Sequence, residues 1–272
     1  MSATDTAVTE KQLVSYSVEQ GVAVIAMDDP PANTYTHEMM RQLDEAILKA
    51  RFDVEVQVIV MRGAGWKFFS AGANIKMLAT SDPTFKYYFC LHANETLIRL
   101  EQTPKLVIAA LNGHCVGGGL EIAMAADIRL ARKDAGKIGL PEVNLGVLPG
   151  TGGTQRLARL IGKSRAIELM VTGHTFTFEE AQEMGLVNQI LDADPATYWD
   201  EVMAYAKQFC TPNKAARAVG RIKRSVQSGL EIGFGESLAL ERELQQLLFN
   251  SEDAKEGLAA YVDKRPAQFK GK

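Results

Sequence analysis

Cysteine is scarce in this chain. Cys90, Cys115 and Cys210 are odd in number and widely spaced, with no Cys-x-x-Cys among them. That excludes a disulfide scaffold or thiolate zinc site and points to a reducing compartment. Long hydrophobic runs are missing too: no uninterrupted apolar stretch approaches the ~18 residues of a membrane helix. The opening segment MSATDTAVTEKQLVSYSVEQ carries acidic residues and no apolar h-region, so it reads as neither a signal peptide nor a mitochondrial presequence. Positive charge is not in excess. Thirty Lys and Arg against 33 Asp and Glu leave a formal net charge of −3, so nothing electrostatic calls for nucleic acid or an anionic membrane as partner. With 46% hydrophobic and 23% charged residues, the 272-residue chain reads as a cytoplasmic globular protein of one large domain, or a domain with an appendage.

The familiar glycine and metal motifs are also absent. Gly150-x-Gly152 is followed by Gln155 where a dinucleotide fingerprint needs its third glycine. Gly162-Lys163-Ser164 ends like a phosphate-binding loop, but Leu157 stands where the first glycine belongs. His37-Glu38 begins a zinc motif that Arg41 breaks, and there is no Gly-x-Ser-x-Gly.

What the chain does contain is an interleaving of short apolar strands and amphipathic helices. Residues 12–18 and 21–27 predict a hairpin turning at Glu19-Gln20, and Asp28-Asp29-Pro30-Pro31 ends it. Thr36 is placed to cap a helix whose Met39, Met40, Leu43, Ala46, Ile47 and Ala50 share one face. Strands are expected at 56–62, 106–111 and 127–131. Helices are expected from Thr84 to about Gln102, with Leu91, Leu97 and Leu100 inward, and over 118–126. This is an α/β pattern with βαβ-type crossovers. From about Pro195 only helical periodicity remains, over Ala196–Cys210, Lys214–Gln227, Glu236–Phe249 and Asp253–Lys264. The expected division is a core over 1–194 and a helical region over 195–272. Lys214, Arg217, Arg221, Lys223 and Arg224 form the most basic stretch, read as a solvated face with a phosphate contact as the lesser alternative.

Three blocks carry candidate chemistry. In 107-VIAALNGHCVGGGLEIAMAADI-128, a strand runs into Gly117–Gly119 and a helix bearing Glu121 among apolar residues. Glycine at a helix start bares backbone N–H groups, so the Gly118 N–H offers an oxyanion contact; close helix–strand packing is the lesser alternative, since an apolar helix could use alanines. In 66-WKFFSAGANIKML-78, a small-residue loop lets a ligand approach the backbone, though a bland loop reads the same way. In 139-GLPEVNLGVLPGTGGTQRL-157, Glu142 has apolar neighbours that would raise its pKa, or it serves as a helix cap.

Together, FSAGANIKML, NGHCVGGGLEIAMAADIRLA and PEVNLGVLPGTGGTQRL, with the terminal GLAAYVDKRPAQFKG, resemble the crotonase (enoyl-CoA hydratase/isomerase) superfamily over nearly the whole chain. The resemblance implies a spiral of ββα units with a C-terminal all-helical trimerisation region that also completes the CoA pocket, and trimers paired into hexamers. It implies 2-enoyl-CoA hydratase activity, with coenzyme A as part of the substrate and neither a separate cofactor nor a metal. Carried onto this sequence, the oxyanion donors are the backbone N–H groups of Ala73 and Gly118, and the acid/base pair is Glu121 and Glu142. The CoA contacts are Ala71 to Ile75 through their backbone, with Lys67 or Lys76 near the phosphates.

Family members with both glutamates are typically hydratases, and this chain keeps both. The alternatives are an enoyl-CoA isomerase, a hydratase of a branched or cyclic acyl-CoA, or a non-catalytic or RNA-binding protein on the same fold. Three departures stand out: Asn74 where the family commonly has Asp, one extra residue near Lys133–Ala135, and Tyr35 where a small residue is usual. The last bears on which acyl groups fit.

Overall fold

A computed structural model describes residues 11–272; the reading of the first ten residues as free of a targeting signal lies outside them. Strands β1 (Val14–Glu19) and β2 (Val22–Met27) form the expected antiparallel hairpin. Its turn is Gln20-Gly21, one residue later than read from the sequence, with φ of 48° and 84°. Two consecutive left-handed residues suit the twist of a two-residue hairpin, and glycine takes the second at no steric cost. Helix α1 (His37–Phe52) starts at Thr36, whose side chain accepts from Met39 N, and buries all six residues of the expected face.

From there the chain repeats one pattern. β3 (Val58–Gly63) leads to β4 (Phe68–Ser70), then α2 (Ile75–Thr80) and α3 (Pro83–Glu101). β5 (Leu106–Leu111) leads to β6 (His114–Val116) and α4 (Gly118–Met124); β7 (Ile128–Arg132) leads to β8 (Lys137–Gly139) and a 3₁₀ turn over Glu142–Leu145. α5 (Gly153–Ile161), α6 (Lys163–Thr172), β9 (Phe176–Thr177), α7 (Phe178–Glu183) and β10 (Gln189–Leu191) follow. Each long strand joins a six-stranded sheet ordered β1-β2-β3-β5-β7-β10, parallel except at β1–β2. The short strands β4, β6, β8 and β9 form a second sheet in that order. The result is the α/β spiral expected from the sequence.

Within the large sheet β2, β3 and β5 are largely buried on both faces, so they read as nearly unbroken apolar runs. Ile59 and Met61 of β3, with Val107, Ala109 and Leu111 of β5, face a core shared with α1 and α3. Val58, Val60, Ile108 and Ala110 alternate to the opposite face. That face is covered by α8 (Pro195–Lys207) through Tyr198, Val202, Met203 and Ala206, and the buried Tyr198 hydroxyl donates to Leu130 O at 3.0 Å. Burying each of the larger side chains contributes about 1.5–3 kcal/mol. Thus the first helix of the expected C-terminal region covers the sheet.

On α3, Leu97 and Leu100 are buried as expected, but Leu91 is 41% exposed. Phe89 and Ala93 take the inward positions of that turn instead. Helices α9 (Ala216–Gly229), α10 (Phe234–Phe249) and α11 (Glu252–Val262) complete the chain. Lys223 departs from the solvated basic face: it is buried, pairs with Asp127 at 2.9 Å, and donates to Leu100 O and Lys105 O. No helix among the described residues is long and apolar enough to cross a membrane.

Candidate active site

The loops leaving the C-terminal ends of β3 and β5 are fastened by buried asparagines. Asn112 Oδ1 accepts from Gly63 N, and its Nδ2 donates to Gly65 O and Phe68 O. Asn33 Nδ2 donates to Ala64 O and Phe68 O. Ser70 Oγ donates to Asn33 O at 2.7 Å and accepts from Gly72 N at 3.1 Å. These bonds place the 71–74 loop against the start of α4. Tyr35 N donates to Gly72 O and Asn74 N to Tyr35 O, a parallel bridge that turns the Ala73 N–H away from residue 35. Neither the Ala73 nor the Gly118 N–H has a hydrogen-bond partner among the described residues.

Glycine is required where these segments meet. Gly72 has φ of 88°, and a Cβ there would stand 2.8 Å from Gly118 N. Gly117 has φ of 56°, and its Cβ would meet Glu142 Oε1 at 3.0 Å. A Cβ on Gly118 would stand 2.2 Å from Tyr35 Oη, and one on Gly119 2.2 Å from Ser70 O. Within the triplet, Gly119 serves close packing against Ser70 of β4, while Gly117 lies against Glu142 and Gly118 against Tyr35.

Glu121, one turn into α4, is 2% exposed. Its Oε1 accepts from Thr151 N and Gly153 N, both at 2.7 Å. Burial raises its pKa, opposed by those two N–H groups, the Thr151 hydroxyl and Arg156. The Gly150–Gly153 loop, which lacks the third glycine of a dinucleotide fingerprint, thus orients a carboxylate. Asn94 Nδ2 holds it at Gly150 O, and Arg156 holds it at Thr151 O. Sequence reasoning missed this role; its signal was three glycines flanking one hydroxyl residue in Gly150-Thr-Gly-Gly153.

Glu142 opens the 3₁₀ turn, and its Oε2 is buried without a hydrogen-bond partner among the described residues. Burial pushes its carboxyl up to about 7; its own backbone N–H opposes the rise and the charge on Glu121 adds to it. A carboxyl poised near neutrality beside a second, anchored carboxylate is suited to moving protons on one substrate.

The structure thus brings the segments bearing Ala73, Gly118, Glu121 and Glu142 together. Ala71 adjoins it, with its carbonyl oxygen 3.9 Å from where a Gly117 Cβ would stand. Ile75 begins α2 and is half exposed, Asn74 caps that helix by accepting from Met77 N, and Lys76 is exposed beside it. Lys67 is exposed just ahead of β4. Neither lysine has an ion pair among the described residues, so both ammonium groups are open to an anion. No group of three or more His, Cys, Asp or Glu placed to hold a metal occurs among the described residues.

Comparison with known proteins agrees with this architecture. The family model described as enoyl-CoA hydratase/isomerase matches residues 17–272. The chain is 38% identical over 259 residues to a probable enoyl-CoA hydratase of Bacillus subtilis (strain 168), covering 95% of this chain and 98% of that protein. It is 36% identical over 250 residues to a short-chain-enoyl-CoA hydratase of Clostridium acetobutylicum, covering 91% and 93%. Its fold is similar to that of an enoyl-CoA hydratase from Geobacillus kaustophilus HTA426, with a TM-score of 0.93, 46% identity, and coverage of 97% and 98%. The chain is an enzyme of the enoyl-CoA hydratase/isomerase family, within the crotonase superfamily.

Proposed function

We propose that the enzyme is a 2-enoyl-CoA hydratase, adding water across the C2=C3 bond of a short-chain enoyl-CoA thioester to give a 3-hydroxyacyl-CoA. The observation that carries this reading is the pairing of two unpartnered N–H groups, Ala73 and Gly118, with two carboxylates of unlike environment. The thioester oxygen sits on the two N–H groups, which stabilise the enolate charge as it develops; such a donor is worth about 3 kcal/mol. Glu121, fixed through Oε1, orients water and takes its proton as the oxygen bonds to C3. Glu142, partly protonated at neutral pH, delivers a proton to C2, and proton return between the two carboxyl groups resets the site. The two titrate as a coupled pair.

Backbone contacts from Ala71 to Ile75 hold the adenine end of CoA, and Lys67 or Lys76 serves the phosphates. The short-chain preference is supported by the likeness to the Clostridium hydratase. α10 buries none of its residues within the chain, and Phe234, Leu238, Leu247 and Phe249 are exposed on it. This apolar surface supports a homotrimer, with trimers pairing into hexamers.

The test is incubation of the purified enzyme with crotonyl-CoA and, separately, with a 3-enoyl-CoA. The reading expects loss of the conjugated-thioester absorbance and formation of 3-hydroxybutyryl-CoA from the first. Double-bond migration in the second, with no water added to the first, would show an isomerase instead.

A further inference from the structure

Tyr35 reaches Glu121 through one intermediary. It is 2% exposed, and its Oη lies 3.1 Å from Thr151 Oγ1. Thr151 is itself buried and donates its N–H to Glu121 Oε1. The Tyr35 ring packs against Gly118 and against Phe89, whose ring centroid is 5.7 Å away. Volume alone does not explain the residue, since phenylalanine fills the same space without a buried hydroxyl to satisfy. Nor does pairing alone: exchanging both hydroxyl partners for apolar groups of the same shape is often neutral. What the polar pair adds is a link to the anchored carboxylate.

We propose that Tyr35 is a positioning residue for Glu121, its hydroxyl donating to Thr151 Oγ1 and so fixing the turn that holds the carboxylate. With Tyr35 as donor, the Thr151 hydrogen is free to point at Glu121, completing a relay whose bonds polarise one another. Burial keeps the phenol protonated well above neutral pH, and the Thr151 hydroxyl opposes the burial-driven rise of Glu121. The other groups facing Glu121 are Cys90 on α3, Glu142 on the 3₁₀ turn and Arg156 on α5. Arg156 is the sole cation among them and is bound through Nε and Nη2 to Glu101, 2.7 Å at each oxygen. Holding Glu121 anionic in one orientation therefore falls to the Thr151–Gly153 turn and to the tyrosine behind it.

The inference rests on the hydratase reading. The experiment measures kcat, KM and the pH profile of crotonyl-CoA hydration for wild type, Tyr35→Phe, Thr151→Ser, Thr151→Val and the Tyr35→Phe/Thr151→Val double variant, with Tm checked for each. Tyr35→Phe lowers kcat about tenfold, KM stays within about twofold, and the acidic limb moves to higher pH because the base loses support for its charged form. Thr151→Val behaves alike, Thr151→Ser loses less, and the double variant is no worse than either single one. With an active wild type, a Tyr35→Phe enzyme of unchanged kcat and acidic limb, or additive losses in the double variant, overturns the inference alone. A wild type that does not hydrate crotonyl-CoA overturns the functional reading and the inference with it.

Discussion

A Cβ on Gly72 would stand 2.8 Å from the backbone nitrogen of Gly118, although 46 positions separate the two along the chain. That closeness puts the unpartnered N–H of Ala73, the next residue, beside the unpartnered N–H of Gly118. Gly72→Ala meets both this contact and a φ of 88° that side chains avoid. The expected result is a fall in kcat of about 10²–10³ with a stability loss of about 1–3 kcal/mol. Steady-state kinetics and thermal unfolding check it; a wild-type kcat contradicts the oxyanion assignment.

Glu142 gives a pH signature. In its proposed role of protonating C2 it must be acidic, and that form is lost as pH rises through about 7. Because kcat/KM reports the free enzyme, it falls on the alkaline side with a midpoint near 7. A flat kcat/KM from pH 6 to about 9 contradicts this.

The same group affects stability with a defined sign. Its folded pKa of about 7 lies above the ordinary 4.5, so the folded state binds more protons than the unfolded state across that window. Its contribution is favourable below 4.5 and declines as pH rises through about 7. Glu142→Gln is therefore expected to raise Tm relative to wild type at pH 8 and to gain less at pH 5. Calorimetry at the two pH values decides it.

Lys223 tests a structural link. Lys223→Met leaves the partly buried Asp127 beside an apolar side chain, which costs about 3 kcal/mol. Adding Asp127→Asn recovers part of that loss, because the uncompensated charge is gone. Denaturant unfolding measures both; equal stability of wild type and Lys223→Met contradicts the ion-pair reading.

Much of this was legible because periodicity and caps act locally. Val107 to Leu111 alternate between two cores, and Thr36 caps α1 over a fully buried face. Leu91 was misread because a helix face fixed by spacing alone drifts when Phe89 and Ala93, two positions to either side, take the buried places. Lys223 was misread because a basic run looks solvated until a distant carboxylate, Asp127, is folded against it. Within the site, the family resemblance supplied Ala73, Gly118, Glu121 and Glu142. The supports of Glu121 were not read: the glycines around Thr151 marked a tight turn but not what its N–H groups bind, and Tyr35 reaches that turn from 116 residues away.

The central claim is that two carboxylates divide the proton handling of one hydration. Glu121→Gln and Glu142→Gln test it most directly, each assayed for crotonyl-CoA turnover alongside equilibrium binding of a saturated acyl-CoA. The account predicts that each substitution lowers kcat by at least about 10² while acyl-CoA affinity stays within a few-fold of wild type. Near wild-type turnover in both variants would contradict it.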